Sequence, residues 1–334
     1  MDCISCHLCG KLAQLQYKNH CGYQLGSFFD LYHCDHCNTA FADPLEVDEH
    51  VYDLIYGLAE KIQGYDRYLD YAKKVLLSRD PLEFLAESEE MYWAVKQVLE
   101  KKSTKKGKIL EIGSGLGYLT YALSKKGYDV LGVDISERAV NSAKKRYGDF
   151  FQCADIHSFG DGRRYETIIL TEVIEHITDI KSFMKAVDRL VADNGEIIIT
   201  TPNKSAYRPD VLWETEPPPV HLWWFSEQSM RHLATELHYD VEFVDFTAYN
   251  QKYRQTLVDT PHIPTRSPRL TANGKIHYNS WKTYLKRQMV IRFRQLGLLP
   301  MMRTIQQKLG SKQGQPSQRS ATLCALFKKT SPHK

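Results

Sequence analysis

Glu111-Ile112-Gly113-Ser114-Gly115-Leu116-Gly117 is the stretch on which the reading of this chain turns. The apolar run Lys108–Ile112 in front of it predicts a strand, and Tyr118–Lys126 behind it predicts a helix. Glycines at a strand-to-helix turn let the backbone take positive φ and approach a ligand closely. The free amides of the helix that follows suit a negative group. The dinucleotide fingerprint needs a further glycine at the next position, where Tyr118 stands, so the close helix–strand packing of that motif is opposed here.

Working outward, strands and helices alternate, as they do in a parallel sheet with crossover helices. Asp129–Val133 is a second strand, Glu137–Tyr147 a helix, Phe150–Ala154 a third strand and Thr167–Thr171 a fourth. Asp179–Ala192 is a helix closed by Asn194-Gly195, and Glu196–Thr200 is a fifth strand. Ser226 caps a helix running to about His238, because its hydroxyl can satisfy first-turn amides. Val241–Phe246 and, far downstream, Ala321–Phe327 complete the strands. The domains expected are a Cys-rich unit at 1–42, a helical cap and linker at 43–106, the core at 107–247 with its last strand at 321–328, and a basic helical insertion at 248–320.

The 334 residues are 43% hydrophobic and 25% charged, the profile of an ordinary globular chain. No run reaches the ~20 apolar residues of a membrane span, and the start MDCISCHLCG has neither a basic nor an apolar leader segment. The expectation is a cytoplasmic protein whose eight cysteines are metal ligands or free thiols rather than disulfides. Charge is segregated. Residues 251–334 carry 17 Lys/Arg and a single acid, Asp259, a net of +16 against −12 for residues 1–250. Such a basic arm suits an anionic partner, either RNA or a membrane surface to which the protein would be peripheral. Its segment Ser280–Leu296 reads as a helix with Trp281, Leu285, Met289, Phe293 and Leu296 on one side and Lys282, Lys286, Arg287, Arg292 and Arg294 around them. Gly310–Ser320, rich in Gln, Ser and Gly, reads as a flexible connection.

Acidic residues end three successive strands. Asp134, 17 residues after Gly117, is placed to accept hydrogen bonds from ribose hydroxyls, with Ile135 beside it for an adenine ring. Asp155 ends the third strand, within reach of the adenine amino group, and Glu172 ends the fourth. Taken together, EIGSGLG (111–117), VDIS (133–136), CAD (153–155), IILTEVIEHI (168–177) and TTPN (200–203) resemble the successive motifs of class I S-adenosylmethionine-dependent methyltransferases. The resemblance implies an α/β fold, a doubly wound, Rossmann-like, seven-stranded and mostly parallel sheet with a reversed last strand. It also implies roles. Glu111, Gly113, Gly115 and Gly117 would lie near the methionine moiety, Asp134 at the ribose, Asp155 and Ile156 at the adenine, and Glu172 near the transferable methyl.

Methyl transfer from a sulfonium is an in-line displacement that a hydroxyl acceptor undergoes best after losing its proton. Glu172-Val173-Ile174-Glu175-His176 stands where that help is needed. It is similar to a motif of ubiquinone-pathway O-methyltransferases and of small-RNA 3′-terminal 2′-O-methyltransferases. The resemblance implies Mg²⁺ or Mn²⁺ at Glu172, Glu175 and His176, with His221 completing the set or acting as base. The same His also reads as a helix cap without metal. Glu175, His176 and His221 are the candidate catalytic residues. Pro217-Pro218-Pro219-Val220-His221-Leu222-Trp223-Trp224-Phe225 is a stiff aromatic loop, suited either to covering an acceptor or to packing in the core.

Cys6-His7-Leu8-Cys9-Gly10 and Cys34-Asp35-His36-Cys37-Asn38 are two C-x-x-C turns separated by 24 residues. Gly10 and Asn38 are residue types that tolerate the left-handed turn of a metal knuckle. Four thiolates suit structural Zn²⁺ with no open coordination position. With Asp43-Pro44-Leu45 after the second turn, the arrangement resembles zinc-ribbon methyltransferases of sugar and glycan pathways. The resemblance implies a small-molecule, glycan or lipid-linked acceptor methylated on oxygen, or less favourably on carbon. An RNA methyltransferase using ribbon and arm, and a non-catalytic S-adenosylmethionine-binding scaffold, are the two alternatives.

Overall fold

A computed structural model describes residues 3–62, 64–101, 107–207, 216–253, 268–295 and 317–329. The Cys-rich start is an antiparallel ribbon of β1 (Cys3–Ser5), β2 (Leu12–Cys21), β3 (Phe28–Cys34) and β4 (Thr39–Asp43). Four helices follow: α1 (Glu49–Leu58), α2 (Tyr65–Lys74), α3 (Pro81–Ser88) and α4 (Glu90–Glu100). Asp48 and Asp80 cap α1 and α3 by accepting first-turn amides, and Pro81 opens α3, where its missing N–H costs nothing.

The core then alternates strand and helix: β5 (Lys108–Ile112), α5 (Tyr118–Lys125), β6 (Asp129–Asp134), α6 (Glu137–Tyr147), β7 (Phe151–Cys153), β8 (Tyr165–Thr171), α7 (Ile180–Asp188) and β9 (Val191–Pro202). After β10 (Trp223–Trp224) come α8 (Glu227–Glu236), β11 (Tyr239–Phe243), α9 (Thr247–Tyr253), α10 (Trp281–Gln295) and β12 (Thr322–Lys329). The main sheet has the order β11-β12-β9-β8-β5-β6-β7, with β12 antiparallel to both neighbours and β5 to β9 parallel. Ile168, Ile169 and Leu170 on β8, and Ile197, Ile198 and Ile199 on β9, are all fully buried. Helices cover both faces of these central strands, so their apolar runs are continuous rather than alternating. The strand order reverses between β5 and β8, and such a switch point opens a crevice at the strands' carboxyl ends. The glycine turn after β5 and Glu172 after β8 flank that crevice.

Several boundaries differ from the sequence reading. The seventh helix stops at Asp188 rather than Ala192, and β9 begins at Val191. Tyr165 pairs with Val191 but Thr167 with Glu196, so Asn194-Gly195 forms a bulge inside the strand instead of a turn before it. A Cβ on Gly195 would sit 2.7 Å from Val191 and 2.9 Å from the Tyr165 carbonyl, which is why glycine stands there. β11 begins two residues early because His238, at φ 60°, turns the chain directly out of α8.

The ribbon is not an appendage. β10 pairs with β4, Trp223 opposite Phe41 and Trp224 opposite Ala40, and so joins the ribbon sheet. Trp223, Trp224 and Phe225 are buried, and the Trp223 indole donates to the Ile177 carbonyl at 2.7 Å. The aromatic loop is therefore core between ribbon and sheet, not a cover over an acceptor. The basic helix forms much as expected, but its burial is inverted. Trp281, Leu285 and Met289 are exposed, while Arg287 is buried with its guanidinium 2.8 Å from Asp66. Leu296, the linker residues 102–106 and residues 310–316 of the expected flexible connection lie outside the described residues.

Candidate active site

The three glycines after β5 do three different jobs. Gly113, at φ 75°, cannot carry a side chain, because a Cβ would lie 2.6 Å from Val173. Gly117, at φ 78°, opens α5, and a Cβ there would lie 2.7 Å from Phe151 and Ala143. Gly117 thus performs helix–sheet packing and is not on the cavity wall, contrary to its expected place at the methionine moiety. Gly115 alone faces open space, the cradle that a ligand would fill.

That cradle belongs to a cavity of about 1340 Å³. Its wall includes Glu111, Gly113, Ser114 and Gly115 on one side and Thr171, Glu172, His176 and His221 on the other. The volume exceeds the roughly 300–1,000 Å³ of a typical small-ligand site. Ser114 Oγ, Thr171 Oγ1 and Glu172 Oε1 are buried without a hydrogen-bond partner in the protein. Buried polar atoms are normally satisfied, and on this cavity wall water or a polar ligand can complete them. Glu111 is buried and accepts the Thr120 hydroxyl. Loss of solvent pushes its carboxyl up to about 8, against the opposing Thr120 bond.

Asp134 uses both oxygens locally. Oδ2 accepts the Gly115 amide at 2.7 Å and Oδ1 the Ser136 amide at 2.8 Å. It therefore fastens the glycine turn to the end of β6, a task the sequence did not disclose, and its remaining lone pairs stay available. Ile135 beside it is 75% exposed. Asp155 is exposed and accepts the His157 amide at 2.9 Å, while Ile156 is buried among core residues. Asp134, Ile135, Asp155 and Ile156 all lie outside the cavity wall, along the strand edge next to Gly115.

At the end of β8, Glu172 has φ 53°, a left-handed conformation that a non-glycine residue adopts at a cost. The turn aims Glu172 and Glu175 at each other. Burial raises Glu172 to about 7, and burial together with the Glu172 charge holds Glu175 well above the carboxylate range. Glu175 is fully buried, its Oε2 accepting the Thr201 hydroxyl at 3.0 Å and its Oε1 unpartnered. The His176 ring has its Nδ1 2.6 Å from the Val220 carbonyl. A carbonyl only accepts, so Nδ1 carries the proton and Nε2 is the basic nitrogen. Burial lowers the His176 pKa, which keeps the ring neutral. The His221 ring lies 4.8 Å away, edge to face. Ligand atoms of Glu175, His176 and His221 all fall within 4.8 Å of one another. The converging donors are thus these three, and Glu172 is not among them.

The helical cap supplies a wall of tyrosines. Tyr56, Tyr65, Tyr68 and Tyr92 of the cap line the cavity together with Tyr118 of α5, and the Tyr92 and Tyr118 hydroxyls are 2.6 Å apart. The Tyr52 hydroxyl lies 3.2 Å from His176 Nδ1. The signal available in the sequence was the density of tyrosines at helical spacing, Tyr52, Tyr56, Tyr65, Tyr68 and Tyr71.

The second donor cluster is closed. Cys6 Sγ is 3.7 Å from Cys37 Sγ and Cys9 Sγ is 3.5 Å from Cys34 Sγ, with all four sulfurs mutually within 4.8 Å. A tetrahedral Zn²⁺ with ~2.3 Å bonds to sulfur has edges of roughly 3.8 Å, which this set fits. Gly10 and Asn38 take φ 73° and 50°, the left-handed turns expected after each second cysteine. Ser229, inside the capping box of α8, donates to the Cys37 carbonyl at 3.2 Å and ties the knuckle to the core.

In its central region the chain is similar to methyltransferase domains. A family profile described as a methyltransferase domain matches residues 85–242. Among curated proteins, the chain is 33% identical over 114 residues to the ubiquinone biosynthesis O-methyltransferase of Coxiella burnetii (strain Dugway 5J108-111), covering 32% of this chain and 49% of that one. It is 30% identical over 109 residues to the protein of the same name from Pelagibacter ubique (strain HTCC1062), covering 31% and 45%. The chain thus spans about half the length of the curated relatives it matches. Among solved structures, the plantazolicin methyltransferase BpumL in complex with a monoazolic desmethylPZN analog and SAH aligns over 84% of this chain and 98% of its own, at 16% identity and a TM-score of 0.41.

Proposed function

We propose that the chain transfers a methyl group from S-adenosylmethionine to a hydroxyl oxygen of a glycan, a lipid-linked molecule or another small acceptor. When bound, S-adenosylmethionine supplies an electrophilic methyl carbon. Gly115, Ser114 and Glu111 are the residues to hold its amino-acid end, and Asp134 its ribose, with Ile135, Asp155 and the Ile156 segment at the base. The observation that carries the reading is the pinned tautomer of His176. Its Nδ1–H is committed to the Val220 carbonyl at 2.6 Å. Nε2 is thereby presented to the cavity as the base that takes the acceptor hydroxyl's proton. The unpartnered oxygens of Ser114, Thr171 and Glu172 support a polar ligand between the glycine turn and β8.

A divalent cation is a second reading for the same corner, favoured by the convergence of Glu175, His176 and His221 and by the unpartnered Glu175 Oε1. There it would lower the acceptor hydroxyl's pKa directly. Zn²⁺ at Cys6, Cys9, Cys34 and Cys37 has a structural role only, since four thiolates leave no open position.

The test is incubation of the full chain with methyl-labelled S-adenosylmethionine and fractionated cell extract. Label should enter one small-molecule fraction with wild-type protein and not with His176→Asn. Label in RNA would move the acceptor to the nucleic-acid alternative. Tight cofactor binding without transfer to any fraction would leave the scaffold alternative. Loss of transfer on chelation, restored by Mg²⁺, would select the metal-assisted form.

A further inference from the structure

The cavity wall carries more charge than the chemistry of methyl transfer uses. Asp66 is neutralised by Arg287 at 2.8 Å, and Glu216 is paired with Arg269 at 3.6 Å. Burial pushes Glu111 up to about 8, so near neutral pH it contributes little negative charge. Arg67 is paired with Glu89 at 2.9 Å. The remaining cations on the wall, Arg138, Lys282 and Lys286, have no ion-pair partner among the described residues. Arg138 belongs to α6, on the Gly115 side. Lys282 and Lys286 belong to α10, on the cap side.

The way α10 is seated makes those two lysines a pair. The buried Arg287 donates to the Lys61 carbonyl at 3.1 Å as well as to Asp66, and so fixes the helix rotation against α2. With Arg287 inward, Trp281, Tyr284 and Leu285 lie off the cavity wall, while Lys282, Lys286, Met289 and Val290 are on it, the two lysines also exposed to solvent. Residues four apart on a helix are neighbours, roughly 5–6 Å between Cβ atoms, so both ammoniums can reach one group. Two compact point charges without carboxylate partners suit an oxyanion of more than one charge.

We propose that Lys282 and Lys286 form a subsite for a phosphate or diphosphate group carried by the acceptor. This deepens the proposed function and rests on it for the acceptor's presence, but the subsite binds its anion independently of transfer. The acceptor class is therefore a phosphorylated one, either nucleotide-linked or lipid-linked through a diphosphate. The excess positive potential of the cavity draws in such a molecule.

The experiment is calorimetric titration of the full chain with inorganic diphosphate, together with a separate titration with S-adenosylmethionine. The variants are Lys282→Gln/Lys286→Gln and, as control, Arg292→Gln, an exposed cation of α10 off the cavity wall. The double variant should bind diphosphate about tenfold more weakly or worse, the loss expected of two charge-assisted contacts. The control should stay within about twofold of wild type, and S-adenosylmethionine affinity should be unchanged in both. Equal diphosphate binding by wild type and double variant, no binding by wild type, or an equal loss in the Arg292→Gln control would each overturn the subsite. Failure of S-adenosylmethionine to bind the wild-type chain would instead sink the methyltransferase reading and leave the diphosphate result standing. Competition between a nucleoside diphosphate and a short prenyl diphosphate for the same lysines then identifies the carrier.

Discussion

The chain holds two clusters of metal-type donors, and they differ in how completely each is satisfied. In the knuckle, four sulfurs close a tetrahedron, and the backbone around it is tied to α8 through Ser229. At the end of β8, Glu175 keeps a buried oxygen without a partner and His176 lines a cavity. The β8 cluster also rests on a residue, Glu172, held in a left-handed conformation. Under the proposed function the first cluster stabilises the ribbon and the second takes part in the reaction.

If that contrast is right, the two clusters must fail differently. The largest effect is expected at the knuckle. Cys37→Ser, or stripping the wild-type chain with a strong chelator, should unfold the ribbon and expose Phe41, Trp223 and Phe225, which share its core. A cooperative loss of stability in thermal melts, with about one zinc per chain before treatment, is the expected result. A metal-free chain melting like wild type would break the comparison from the structural side. His176→Asn should leave the melt in place and reduce methyl transfer by about 10²–10⁴-fold, the range for loss of a general base, with cofactor affinity retained. Should that variant unfold while transfer per folded molecule persists, the reactive side of the comparison fails. Asp134→Ala comes third. It should weaken S-adenosylmethionine about tenfold or more by calorimetry, both because the ribose loses its acceptor and because the Gly115 amide loses its anchor. Affinity near that of wild type would remove Asp134 from the cofactor site.

The legible part of this molecule is local. Gly113, Gly115, Gly10 and Asn38 announce positive φ by residue type, the C-x-x-C spacing announces a tetrahedral donor set, and apolar runs mark β5 to β9. What stayed hidden depends on partners far away in the chain. Asn194-Gly195 has the composition of a turn, yet pairing with β8 turns it into a bulge. Trp223 and Trp224 fit either a cover over an acceptor or core packing, and only their pairing with β4, some 180 residues earlier, decides for the core. Arg287 looks like one more solvated charge until Asp66 appears opposite it, and that contact sets which face of α10 the cavity sees. Gly117 stands in line with two ligand-side glycines, and only Phe151 from β7 shows that its task is packing.

The smallest expected effect sharpens the comparison through a proton. Glu111 is buried without a cation, and in the folded chain its carboxyl keeps its proton up to about pH 8. In the unfolded chain it releases that proton in the ordinary glutamate range. The folded state therefore binds more protons between these limits, and the associated stability is complete at acid pH and lost as pH rises through about 8. The melting temperature of the cofactor-free chain should fall more steeply between pH 6 and pH 9 in wild type than in Glu111→Gln, which cannot ionise. Binding reverses the situation if the ammonium of S-adenosylmethionine reaches this carboxyl, because an adjacent positive charge favours the ionised form. At pH 7 complex formation should then release close to one proton, read as a dependence of the calorimetric heat on the ionisation enthalpy of the buffer. Glu111→Gln should bind more weakly and with a heat independent of buffer. A wild-type heat that is likewise buffer-independent would detach Glu111 from the cofactor's amino group and leave it, like the knuckle cysteines, a structural element of the strand end.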